Sequence, residues 1–206
     1  CNGVEGSCFF MRLKKTRGEA ARDGIDEPAP SQYRSGMKRE IVHFPDPVLH
    51  KKARPVEKVT DEIRELLNDM ADTMYAEDGV GLAAPQIGVS LRLAVIDVSG
   101  SEGDRGLGLL KLVNPEIVKR EGEVDYEEGC LSVPGFSHRM KRAKKLFVRY
   151  TDENGAEKEL EAEGLLAIAF QQELDHLDGV LIIDSVSHLK QDLYLKKKKK
   201  LEEEEG

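Results

Sequence analysis

Residues 165–176 read Leu-Leu-Ala-Ile-Ala-Phe-Gln-Gln-Glu-Leu-Asp-His, and the change of character halfway along them decides the fold. The first six are apolar on every side, so the helix they begin is buried from its start. Gln171, Gln172, Glu173, Asp175 and His176 follow at once. Prolonging a buried helix with so many polar groups is costly unless each finds a partner. Such a conflict is where a functional site is expected. Positions 172 and 176 are four apart and share one helix face, with Glu173 beside it. This helix is expected from about Glu163 to Leu177, with Gly179 as a suitable C-cap.

Upstream, Ile63, Leu66, Leu67, Met70 and Met74 recur at helical spacing between Thr60 and Glu77, with Thr60 as N-cap. Ile41 to Leu49 reads as extended, because Pro45 and Pro47 deny it a place in a helix. A glycine-rich loop spans Gly79 to Gly88. Strand-like runs occur at Leu91–Asp97, Leu109–Val113, Lys145–Thr151 and Glu157–Glu161, the last two joined by a good hairpin turn at Asn154-Gly155. Strands followed by one apolar helix indicate an α+β domain rather than a doubly wound sheet.

The chain has 206 residues, 39% hydrophobic and 34% charged, which fits one domain with tails. A net charge of −8 argues against a basic protein that coats nucleic acid, so no specific DNA contact is expected. No apolar run approaches the roughly 18 residues of a membrane span. Cys1, Cys8 and Cys130 make no disulfide framework, and Cys130 reads as a reduced thiol in a cytoplasmic setting. Residues 1–36 lack periodicity and are expected to be a disordered or non-native extension. The functional domain is expected over 37–190, with 191–206 as a charged helical tail closing in KKKKKLEEEEG.

A helical H-E-x-x-H sets two imidazoles on a metal with a carboxylate beside a bound water. Here the pattern is Gln172-Glu173-Leu174-Asp175-His176, with glutamine at the first ligand position. Alone it reads as a structural histidine more readily than as a ligand. Two distant segments reverse that: Gly79-Val-Gly-Leu-Ala-Ala-Pro-Gln-Ile-Gly88, a tight loop containing the side-chain amide of Gln86, and Glu128-Gly-Cys-Leu-Ser132. In order and separation, GVGLAAPQIG, EGCLS and QQELDHLDG resemble the three signature motifs of peptide deformylases, from Met37 to about Lys190. The one departure is Gln172, where the family has histidine.

The resemblance implies antiparallel sheets around a central helix that carries the variant metal-binding motif. It implies removal of the formyl group from the N-terminal methionine of newly made peptides. Cys130 and His176 match two of the family's metal ligands, and Gln172 stands at the third. The family's ion is commonly ferrous iron, replaceable by zinc or nickel. Glu173 matches the residue that takes the water's proton and delivers it to the leaving amine. Gln86 and the backbone N–H of Leu131 match the groups that stabilise the oxyanion. Gly81 is expected to let substrate backbone approach, and Ile87 and Phe136 are candidates for the methionine pocket. Asp175 and Arg142 match positions that a salt bridge would join.

Glutamine offers a carbonyl oxygen, a poorer ligand than imidazole in a cysteine-containing site. His138 is a conceivable substitute, although a surface role in its basic stretch fits it better. A deformylase with an impaired or unusual metal site therefore stands beside a silent relative that binds a peptide or the ribosome. A zincin-like protease is disfavoured, since it needs neither Cys130 nor Gln86. By resemblance the partners are a formylmethionyl peptide and the ribosome near its exit tunnel. Lys196–Lys200 would attract rRNA phosphates, and Glu202–Glu205 would oppose them.

Overall fold

The computed structural model describes residues 37–101 and 106–205, so the expected extension over 1–36 lies outside the described residues. The described chain runs through helix α1 (Asp61–Ala76), β1 (Gly81–Ala83), β2 (Leu93–Ile96), β3 (Leu110–Glu121), β4 (Val124–Gly129), β5 (Ser137–Arg142), β6 (Lys145–Thr151), β7 (Glu157–Glu163), α2 (Gly164–Leu177) and α3 (His188–Glu205). Short 3-10 turns occupy Pro47–His50, Ala84–Ile87 and Ile182–Ser185. The fold is α+β, with every pair of neighbouring strands antiparallel.

One sheet has five strands in the order β1-β2-β3-β6-β7, and β4 and β5 form a separate ribbon. Strand β2 explains the layering. All four of its residues are buried. Ala94 and Ile96 join Leu112, Leu146, Val148 and Ala162 against Leu166, Ala167, Phe170 and Leu174 of α2. Leu93 and Val95 face the other way and pack with Leu67, Met70 and Met74 of α1. A strand covered on both faces loses its polar alternation, which is why Leu-Ala-Val-Ile reads as one apolar run.

Helix α1 and strand β6 fall where the sequence places them. The β6–β7 hairpin turns as expected, with Asp152 Oδ1 accepting the N–H groups of Asn154 and Ala156 at 2.9 Å each. The extended reading of Ile41 to Leu49 needs correction, because Pro47–His50 is a 3-10 turn. A proline at the first helical position lacks only an N–H that has no partner there anyway, and Asp46 caps the turn by accepting from Val48 N at 2.8 Å. Strand β3 continues eight residues past the expected end at Val113, to Glu121. Strands β1, β4 and β5 are additional to the sequence reading. Helix α3 runs without interruption across position 190.

Helix α2 ends through Gly179, whose φ of +79° suits glycine. Its N–H reaches His176 O at 3.1 Å, and Val180 N–H reaches Asp175 O at 2.9 Å. A Cβ there would stand 2.7 Å from the carbonyl oxygen of His50. His176 stands on the last turn of this helix.

Candidate active site

Three segments meet at the C-terminal half of α2. Cys130 leaves β4, Gln86 sits in the 3-10 turn after β1, and Gln172, Glu173 and His176 come from α2; all five are buried. Cys130 Sγ lies 3.3 Å from His176 Nε2 and 3.7 Å from Gln86 Nε2. The Gln86 amide is held by its oxygen, which accepts Ala83 N–H at 2.8 Å. Its NH2 group is thereby turned toward Cys130 and Ser132, donating to Ser132 Oγ at 3.3 Å. Gln172 Nε2 donates to the carbonyl of Gly129 at 2.7 Å, one residue before the cysteine.

What these residues lack is as informative. Among the described residues, Gln172 Oε1, Glu173 Oε2 and His176 Nδ1 are buried side-chain atoms with no hydrogen-bond partner. Three such atoms within five residues of one helix are unusual, since each unmet buried group costs about 1–3 kcal/mol. Burial also sets the charge states. It pushes the Cys130 thiol up to about 12 and brings His176 down to about 4. Burial, aided by the charges of Glu128 and Asp175, holds the Glu173 carboxyl well above the usual carboxylate range.

Behind it lies a fully bonded layer. Arg142 on β5 donates through Nε and Nη2 to both oxygens of Glu128 at 2.6 and 2.9 Å, and through Nη1 to Asp175 at 2.6 Å. Burial alone would lower the Arg142 pKa, but Glu128 and Asp175 outweigh it and raise the value. This network ties both strands of the ribbon that delivers Cys130 to the helix that delivers His176.

A family model for polypeptide deformylases matches residues 38–192. The chain belongs to the peptide deformylase family. It is 50% identical to the peptide deformylase of Thermodesulfovibrio yellowstonii over 158 residues, covering 77% of this chain and 94% of that protein. A solved peptide deformylase from Legionella pneumophila is 46% identical, with a TM-score of 0.73 over 82% of this chain and 97% of that one. The Ehrlichia chaffeensis peptide deformylase in complex with actinonin is 40% identical, with a TM-score of 0.75, covering 81% and 98%.

The deformylase fold brings Gln86, Cys130, Gln172, Glu173 and His176 together. Gly81 has a reason to be glycine that its sequence context does not show. A Cβ at Gly81 would overlap Glu173 Oε1 and lie 2.8 Å from Glu173 Cδ, so the glycine makes room for the carboxyl group itself. Ile87 and Leu131 pack in the cluster around α1, whereas Phe136 packs with Cys130, Val133 and Tyr194. Ile87 and Phe136 therefore belong to different apolar clusters. His138 stands on β5 with its ring 6.4 Å from that of Phe136. No third His, Cys, Asp or Glu joins Cys130 and His176 as a metal-binding group among the described residues.

Sequence reading passed over Ser132, Glu128 and the Gly129 carbonyl. Ser132 accepts from Gln86 through its hydroxyl and from Phe44 N–H through its carbonyl at 2.8 Å. All three stand within the Glu128–Ser132 segment, where the cysteine draws the eye first. The residues present suit the divalent ion that the deformylase resemblance implies. A sulfur and an imidazole nitrogen already lie 3.3 Å apart, and the Gln172 carboxamide oxygen, on the helix turn before His176, is buried without a partner. All three are common donor types.

Proposed function

We propose that this deformylase removes the formyl group from the N-terminal methionine of newly made peptides, using a divalent ion held by Cys130 and His176 with Gln172 at the third position. The observation that carries this reading is the run of unpartnered buried atoms on α2, the helix that also brings His176 Nε2 to 3.3 Å from Cys130 Sγ. An ion bound there supplies Lewis acidity and lowers the pKa of water toward neutrality. Ferrous iron is the ion we favour, with zinc and nickel as substitutes.

The rest of the chemistry belongs to the chain. Glu173, whose carboxyl burial holds well above the usual carboxylate range, would as the carboxylate accept the proton of the attacking water and then deliver it to the leaving amine. The anchored NH2 of Gln86 donates to the oxygen that gains charge when the formyl carbon becomes tetrahedral, and Leu131 N–H is its partner donor. The bonds broken and formed are those of amide hydrolysis, giving formate and a free amine. Ile87 and Phe136 contribute apolar walls for the methionine side chain, and Gly81 admits both Glu173 and the substrate backbone.

The setting is the cytoplasm, beside chains leaving the ribosome. A ribosomal contact through Lys196–Lys200 is weakened, because Lys199 and Lys200 pair with Glu203 and Glu204 one helical turn on. No described helix is long and apolar enough to cross a membrane.

The test is formate release from a formyl-methionyl peptide after anaerobic loading with ferrous iron, with the Gln172→His variant in parallel. We expect turnover by both, and about 10–100-fold more by the histidine variant, the range seen when the surroundings of a metal ligand are disturbed. Formate from neither protein at any loading contradicts the deformylase reading and favours a silent peptide- or ribosome-binding relative. Equal turnover contradicts only the impairment.

A further inference from the structure

Gln172 is the residue at which this chain leaves the motif it otherwise matches, and its surroundings assign its two amide ends different tasks. Nε2 donates to Gly129 O at 2.7 Å. The reverse placement would set two carbonyl oxygens against each other, so the hydrogen bond fixes which end is nitrogen. The two heavy atoms share one planar carbon, and pinning the nitrogen to Gly129 turns the oxygen away from it. That oxygen is buried and has no partner.

The adjacent Gln171 removes the bland explanation that this helix tolerates unmet amides. Gln171 Oε1 accepts from Ala143 N at 2.8 Å, and its Nε2 donates to Ala143 O at 3.1 Å and Ala167 O at 2.9 Å. Position 172 shares its helix face with His176, and the Gly129 carbonyl that clamps it belongs to the residue before Cys130. One strand end therefore supplies both a ligand and the clamp for another. Metal-bound histidines use a backbone carbonyl in the same way, as acceptor for the ring nitrogen that does not bind the ion.

We propose that Gln172 Oε1 is a ligand of the divalent ion, oriented by the Gly129 carbonyl, and that the resulting sulfur, nitrogen and oxygen donor set shifts ion preference. The proposal rests on the metal-dependent reading above. A carboxamide oxygen is a harder and weaker donor than imidazole. Exchanging one for the other costs affinity most for zinc and nickel, which favour nitrogen, and least for manganese and ferrous iron. Relative to its own Gln172→His variant, the chain should discriminate less against the harder ions.

Cobalt(II) titration of the full chain, stripped of metal and kept anaerobic, tests this without reference to turnover. Absorption in the visible and near-ultraviolet reports both occupancy and ligand type. The unmodified chain is compared with Gln172→His, Gln172→Leu and Gln172→Ala. We expect affinity to fall from His to Gln to the two truncations, by about 10-fold or more at each step, with distinct visible spectra for His and Gln. Competition between manganese and zinc, read by elemental analysis, should move toward manganese by about 10-fold in the unmodified chain relative to the histidine variant. Matching affinity and spectra for the unmodified chain and either folded truncation overturn the proposal and leave the deformylase reading standing. If Gln172→His also fails to bind cobalt, the metal-dependent reading falls with it.

Discussion

Gln171 and Gln172 are neighbours on one helix, equally buried and chemically identical, yet they live in different worlds. The first meets three partners on the strand connection behind it and at Ala167. The second meets one, and its oxygen has none. The difference extends to whole faces of α2. On the Gln171 side, Arg142 binds both oxygens of Glu128 and one of Asp175. On the Gln172 side, Glu173 and His176 each keep an unpartnered atom. The fold satisfies the polar groups on one face of α2 and leaves several on the other unmet. Burial therefore does not distinguish structure from function here; bonding does.

The most forceful way to break this contrast is to disable the open face. Glu173→Gln should lower formate release by about 10²–10⁴-fold, the usual worth of a positioned acid–base group. The metal-free protein should melt at the same temperature or higher, because a carboxyl group held in dry surroundings stabilises nothing. A melting temperature that drops with activity would make Glu173 part of the scaffold instead.

The closed face should respond in the opposite manner. Arg142→Met strands Glu128, which is fully buried. Leaving such a charge uncompensated costs about 3–5 kcal/mol, measurable by urea unfolding. Adding Glu128→Leu should recover most of that loss, since an apolar pair of similar volume often does as well as a buried ion pair. No recovery in the double variant would give the ion pair a role beyond mutual compensation.

Much of this was legible in the sequence. The α1 periodicity, the β6–β7 hairpin and the apolar entry of α2 are local patterns, and the structure has them at or near their expected positions. Strands β4 and β5 were not legible, because Val124-Asp-Tyr-Glu-Glu-Gly129 and Ser137-His-Arg-Met-Lys-Arg142 form a two-stranded ribbon held by charged pairs and lacking a broad apolar face. Pro47 reads as a helix breaker until one sees that a first-turn proline loses nothing. At the site, spacing alone identified which residues share a helix face. It could not say that Gly81 is kept small by the Glu173 carboxyl, nor that the Gly129 carbonyl holds Gln172. Those are contacts between segments far apart in the chain, and only the fold creates them.

The smallest effect is also the most telling. Unfolding free energies of the metal-free chain, its Gln171→Leu variant and its Gln172→Leu variant put the two neighbours side by side. Gln171→Leu removes a fully used amide and takes their side-chain partner from both Ala143 N–H and Ala143 C=O, so a loss of about 1–3 kcal/mol is expected. Gln172→Leu gives up one hydrogen bond and also removes an oxygen that had no partner, so a change within about 1 kcal/mol of zero is expected. Near-equality at 172 with a clear loss at 171 is the predicted result. Equal losses at both positions would mean that Gln172 serves the fold as Gln171 does, and the open face of α2 would no longer point to a ligand.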